Sequence, residues 1–486
     1  MSKHILYFGL LLASCGRHGE TPQMAAEPSV GAVAAAPTLP VNAVAPISEA
    51  TASAQENFGN SSFAIAAASS VRLGQRIPNM TPFPNSRGYA ATYSTKGFID
   101  LENAFFKSFG TNGRTCATCH SPSTGWTVNP ADIQSRFLRT NGLDPIFRTN
   151  DGSNCAKADV STPAARWRSY SLLLSKGLFR VEMSIPTDGE FELVAATGVY
   201  CNNPMANSVL QLFRRPLPST NLKFTAAVMW DGRESAPGLT VAQALSKQAN
   251  NAMVGHAQAL SQLPQATRDE IVDFETSLFT AQVSSLANLV ADGARGGPQV
   301  MAALPFSIGI NDNPINPIVF NIFDAWKTRA RSAGQAAIAR GQTLFNNKKF
   351  RIVGVSGQDS QDFVGSCATC HNTPNVGSYS VPEFFNIGIG SATSRTLDMP
   401  LYTVKNKVTG ATVAVSDLGR AMVTGKWEDI GRFKPSNLRA VATRAPYFHD
   451  GSATSLEDVV GFYSKRFNIG FTPMERADLV AFLRSL

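Results

Sequence analysis

"TCATCH" fills Thr115–His120, and "SCATCH" fills Ser366–His371. The reading of these two strings decides the fold. A lone C-x-x-C is also half of a zinc site or a redox pair. Zinc takes four ligands, and outside the motifs only His256 and His449 remain in the body of the chain, at no zinc-finger spacing. A histidine directly after the second cysteine is the spacing of covalent haem c attachment. Two thiols form thioethers at the haem edge, and the histidine falls beneath the iron. The repeated CATCH pentapeptide therefore points to two covalently bound haems. Cys116, Cys119 and His120 hold one, and Cys367, Cys370 and His371 hold the other.

Such attachment requires export, and the start of the chain fits. Lys3 precedes an apolar run, Ile5–Ala13, too short to span a bilayer. The run ends in "LASC", which resembles a lipoprotein processing box. Residues 1–14 then form a signal peptide and Cys15 carries the lipid; ordinary secretion with cleavage nearby is the alternative. Residues 15–60, rich in Ala, Pro, Ser and Val, read as a disordered tether. No later stretch has the length of a membrane helix. The expected location is the periplasm, with the membrane reached only through the lipid anchor. Of seven cysteines, Cys15 and the four haem thiols leave Cys155 and Cys201. They form either a disulfide, which an oxidising compartment favours, or two buried thiols. The net charge of +8 is not gathered into basic runs. It suits an acidic electron donor or an anionic surface and carries no nucleic-acid signature.

Other strings recur in the same order. "PSTNLKFTAAVMWDG" (Pro218–Gly232) follows the first motif, and "PSNLRAVATRAPYFHDG" (Pro435–Gly451) follows the second. "EIVDFETSL" then ends at Leu278 and "DLVAFLRSL" ends at Leu486. This order argues for duplication of one haem domain. The expected architecture is mainly α: two cytochrome c-like haem domains, the first with a disulfide-stapled insertion. An N-terminal extension covers 61–94, the first haem domain 95–278, a linker 279–330 and the second haem domain 331–486. The insertion lies at about 130–215, where "FELVAAT" reads as a strand. "AIARGQTLFNNKKF" reads as a helix leading into the second attachment loop. The last helix opens at Thr472 with Pro473 and Glu475 in capping positions. Leu479, Phe482, Leu483 and Leu486 line its apolar face.

A haem with two strong axial ligands shuttles electrons, whereas one with an open face binds peroxide or oxygen. After H-D-G, "SLEDVVGFY" places Tyr463 seven positions beyond Leu456; after W-D-G, "LTVAQALSKQ" places Ser246 seven beyond Leu239, with Gln248 following. A phenolate ligates ferric iron, and a serine or amide normally does not. The asymmetry suggests a His371/Tyr463 haem and an open His120 haem. The alternative for Tyr463 is core packing.

"LRAVATRAPYFHDGSATSLEDVVGFY", "VMWDGRE", "FFNIG", "DLGR" and "GRFKPSNLR", with both CATCH motifs, resemble the bacterial dihaem cytochrome c peroxidases and their MauG-like relatives. The likeness runs from about residue 95 onward and is looser in the insertion. Conventional members carry methionine at the position of Tyr463 and MauG-like members carry tyrosine. The chain is therefore similar to the tyrosine-ligated subgroup, close to the BthA-type dihaem peroxidases. Met399, Met422 and Met474 are the alternative ligands. The resemblance implies that Trp230 relays electrons between the haems and that Gln248 lies over the open one. The family's distal glutamate is missing. Its offset reaches "GHAQ", which makes His256 the acid–base candidate, with Gln258 as hydrogen-bonding support; a surface histidine is the bland alternative. His449 is implied to pack near the second haem. "RRPLP" lacks the asparagine of the family's R-N-S-P, so calcium is left open. The implied activity is reduction of hydrogen peroxide at the open haem. The other haem shares oxidising equivalents through Trp230, and a small cytochrome or cupredoxin supplies electrons. A MauG-like oxidase of a protein side chain, a haem oxygenase of an organic polymer and a non-enzymatic electron carrier are the competing functions.

Overall fold

In the computed structural model, residues 76–201, 203–304, 318–358 and 362–486 are described. Cys15, the signal peptide, the tether and the start of the extension lie outside them. Five helices position the site. They are α1 (Val241–Gly255), α2 (Gln265–Thr276), α3 (Ala333–Asn347), α4 (Leu456–Arg466) and α5 (Pro473–Leu483). Local chemistry sets their starts. Thr240, Ser455 and Thr472 each close a capping box, accepting from the backbone N–H three residues on.

The two halves build matching cores. In the second, Phe345 of α3 and Leu479, Phe482 and Leu483 of α5 pack with Phe320, Phe323 and Trp326. The α3–α5 crossing is so close that a Cβ on Gly341 would lie 2.0 Å from the Asp478 carbonyl oxygen. Only glycine permits it. In the first, Ala249 and Met253 of α1 and Ile271 and Phe274 of α2 pack with Phe105 and Trp126.

Strand is more extensive than a mainly helical reading allows: among the described residues there are twelve strands in five sheets. Phe191–Thr197, the FELVAAT segment, is indeed a strand. It adds antiparallel to Leu401–Asn406 of the second half, which also pairs with Thr412–Val415. The insertion therefore grips the other half through backbone hydrogen bonds as well as side chains. Its own pair, Phe179–Ser184 against Val209–Arg214, is antiparallel. The Cys155–Cys201 disulfide closes it, with a Cα–Cα distance of 5.5 Å. Leu278–Ser284 pairs with Gly88–Ser94, and Gln282 donates its N–H to the carbonyl of Leu486. The described residues fall in one compact unit, Ser69–Leu486. Among them no helix is long and apolar enough to cross a membrane.

Candidate functional site

Each CATCH motif folds into a helical turn, Cys116–Thr118 and Cys367–Cys370, closed by the same box. Thr115 pairs with Thr118, and Ser366 with Thr369. Each motif histidine is then held by a carbonyl six residues on. His120 Nδ1 donates to Trp126 O at 2.9 Å, and His371 Nδ1 donates to Gly377 O at 2.6 Å. A carbonyl only accepts, so in both rings Nε2 is the unprotonated nitrogen, with a lone pair for a metal. Burial, reinforced at His120 by His256 and only partly opposed by these bonds, lowers both histidines below their ordinary range and keeps them neutral.

Two cavities of similar volume, about 190 and 200 Å³, open beside these turns. Cys116, Cys119 and His120 line the first, and Cys367, Cys370 and His371 line the second. None of these four cysteines is in a disulfide. Burial pushes Cys119 up to about 11 and Cys367 and Cys370 up to about 12. A redox or metal-binding pair works as thiolate and has its pKa lowered; these environments do the opposite. The fit is to haem c: two buried thiols and one oriented, neutral imidazole on each of two mostly apolar cavities.

Tyr463 of α4 lines the second cavity with His371. Met399 and Met422 are buried in other clusters, and Met474 is exposed. Burial, with Cys370 and Cys367 adding, raises the Tyr463 phenol above its ordinary value. In the first cavity the comparison with Ser246 needs revision. Counted from the caps Thr240 and Ser455, it is Gln248 that stands where Tyr463 stands, each eight residues in. Gln248 lines the first cavity. Ser246 lies on another face of α1, where its hydroxyl accepts from Gln265 of α2 at 3.4 Å.

His256 caps the C-terminus of α1 and lines the first cavity. Its Nδ1 donates to Asp151 Oδ2 at 2.5 Å, and Arg114 holds the other Asp151 oxygen at 2.5 Å. Burial works against the Asp151 carboxylate. The His256 hydrogen bond and the Arg114 charge outweigh it and hold its pKa below the ordinary value. Nothing local in the sequence marks Asp151 as a partner for His256. Gln258 is not brought to the cavity. It is exposed, with its backbone at φ 58°, and its carbonyl accepts from Thr111.

The two cavities share a wall. Trp230, Lys434, Pro435 and Ser436 line both. Trp230 Nε1 donates to Arg215 O at 2.8 Å, and Arg215 N donates to His449 O at 2.7 Å. The W-D-G and H-D-G segments of the duplication thus meet, with the Trp230 and His449 rings 6.4 Å apart. His449 is fully buried and stacks on Phe433, which lines the second cavity. Beside it Arg214 bridges Asp231 and Asp417, all three buried. Among the described residues no group of three or more His, Cys, Asp or Glu is arranged to hold a metal ion.

No family model matches the chain. The cytochrome-c peroxidase IdrP1 of Denitromonas iodatirespirans is 29% identical over 184 residues, 34% of this chain and 44% of that protein. The methylamine utilization protein MauG of Methylorubrum extorquens is 26% identical over 292 residues, 57% of this chain and 65% of that protein. The chain spans less than two thirds of the length of either. A solved MauG-like protein associated with microbial copper homeostasis covers 86% of this chain and 95% of its own, at 16% identity and a TM-score of 0.39, a likeness too weak to argue from. The relatives of the chain are cytochrome c peroxidases and MauG, as its motifs imply.

Proposed function

We propose that the chain is a periplasmic dihaem peroxidase that reduces hydrogen peroxide at the first cavity and exchanges electrons with the second through Trp230. The observation that carries this reading is the shared wall: two cavities, each lined by one CATCH motif, with one indole lining both. A haem c with a free axial face binds and cleaves peroxide, and one with two strong axial ligands carries electrons.

Reduction of one peroxide to two waters consumes two electrons and two protons. In the first cavity His120 would hold the haem iron through Nε2, and Gln248, at the place of Tyr463, would not normally ligate iron and would leave it open to peroxide. Its amide is free to orient peroxide. His256, fixed by Asp151 through Nδ1, has Nε2 to accept a peroxide proton and return it to the departing oxygen. In the second cavity His371 and Tyr463, which line it together, would hold the iron of the second haem. The chain alone favours a neutral phenol at Tyr463; a ferric ion held there would favour the phenolate. Trp230 is held by the Arg215 carbonyl, which fixes the indole between the two sites. The donor is a small soluble redox protein such as a cytochrome or cupredoxin. The membrane is reached only through Cys15.

The test is intact-mass analysis followed by rapid mixing of the ferric protein with peroxide. Two covalently bound haems are expected, with spectral change in both. In Trp230→Phe the second haem should respond late. One haem per chain, or an unchanged second-haem response in Trp230→Phe, overturns the reading.

A further inference from the structure

The duplication makes one residue of the first cavity conspicuous. The closing helices α2 and α5 align so that Ile271 matches Leu479 and Glu275 matches Leu483. All four line their own cavities at the same places. Three of them are aliphatic, and the fourth is a carboxylic acid. Glu275 is 6% exposed, and its Oε2 has no hydrogen-bond partner. A buried carboxyl without a partner is costly, and a cavity wall gains no packing from it that leucine would not give.

We propose that Glu275 is a proton-binding site that couples electron entry into the first cavity to proton uptake from solvent. This rests on the reading that the cavity holds a haem. Glu275 takes one proton from water as one electron, delivered by a one-electron donor, reaches the haem iron. The carboxylate becomes a carboxylic acid, and the net charge of the cavity does not change. On oxidation Glu275 returns the proton.

The surroundings leave this group free to act. Burial pushes its pKa up to about 8, so small changes of charge nearby shift its protonation at physiological pH. Glu275 helps to raise the Cys116 thiol in the bare chain, but Cys116 joined to haem is a thioether and does not titrate. Cys116 is an attachment residue, not an iron ligand. His120 is set by its own burial, Trp126 and His256 instead. On the elements packed against α2, Lys247 pairs with Glu234 and Lys223 donates to the carbonyls of Ala302 and Leu304. The turn Ala104–Phe106 carries no charge. Elsewhere on the cavity wall, Arg114, Asp151 and His256 form their own cluster.

The experiment is a spectroelectrochemical titration of each haem in the full holoprotein, across neutral and mildly alkaline pH, in wild type, Glu275→Gln and Glu275→Leu. An added electron raises the proton affinity of Glu275. The wild-type potential of the first haem should therefore fall as pH rises through the Glu275 pKa. Glu275→Gln mimics the protonated acid and should hold the low-pH potential throughout. Glu275→Leu restores the residue of the other half and should also be flat. The second haem should be the same in all three. Redox-difference infrared spectra should show a carboxylic C=O band that Glu275→Gln loses. A flat wild-type curve, or a pH dependence that survives in loaded Glu275→Gln, overturns the proposal. Intact mass reports loading separately: a wild-type chain with no haem on Cys116 and Cys119 overturns the underlying reading instead.

Discussion

Asp417→Ala should destabilise the protein by about 3–5 kcal/mol, the cost of breaking a buried ion pair by removing one partner. The pair is unusually complete. Arg214 donates from Nε to Asp417 Oδ2 at 2.7 Å and from Nη2 to Asp417 Oδ1 at 2.9 Å. Its Nη1 donates to Asp231 Oδ2 at 2.5 Å. Side-chain exposures of 3%, 2% and 0% for Arg214, Asp417 and Asp231 mean that water cannot replace a lost acceptor. Asp231 remains in the variant, which places the loss toward the lower end of the range. Asp231 itself gives an independent scale. Burial opposes its ionisation, but Arg214 and Arg233 lower its pKa from 3.8 to about 2, a contribution on the order of 2–3 kcal/mol. Its folded value is depressed, so this stability is present above pH 3.8 and is lost as pH falls toward about 2. The assay is urea denaturation of the holoprotein followed by far-ultraviolet circular dichroism. Asp273→Ala, which removes the exposed Lys96–Asp273 pair, is the control and should cost at most about 1 kcal/mol. An Asp417→Ala loss below about 1 kcal/mol would refute the cost assigned to breaking this buried ion pair.

Breaking the Cys155–Cys201 disulfide with paired alanines should cost about 2–4 kcal/mol in the same assay while leaving the haem count by mass unchanged. Loss of haem from Cys116 and Cys119 would show instead that the insertion shapes the first cavity. Tyr463→Phe should change the absorption of the second haem and raise its reduction potential, because an anionic ligand stabilises the ferric state; an unchanged spectrum would remove Tyr463 from the iron.

Much of the frame was legible in the sequence because its chemistry is local. C-x-x-C-H encodes attachment within five residues. The box that opens at Thr472 announces a helix start within four. The partners that tune the site are not local. Asp151 lies 105 residues from His256, and no motif marks it. Leu401–Asn406 has a local partner in Thr412–Val415, but nothing in either segment marks its second pairing, with the distant Phe191–Thr197. Counting from Leu239 and Leu456 sets Ser246 against Tyr463. Counting from the helix caps, which fix the rotation of the helix face, brings Gln248 there instead. Gln258 sits where the backbone turns to φ 58°, and a fixed sequence offset carries no information about such a turn.

Duplication explains why the remaining differences are informative. Both halves keep the box around the motif, the carbonyl six residues beyond each histidine, and the closing helix against each cavity. Where the frame is shared, a change at a matched position is a change in the cavity and not in the fold. Three such changes fall on or beside the cavities: Gln248 against Tyr463, Trp230 against His449, and Glu275 against Leu483. On the proposed reading they divide the labour between two otherwise similar sites. Gln248 leaves one axial face open, Trp230 supplies the ring common to both cavities, and Glu275 gives the open site a proton to hold. Each change trades a residue that the shared fold would accept for one whose value lies in chemistry. A single substitution can thus test each role without asking the fold to change.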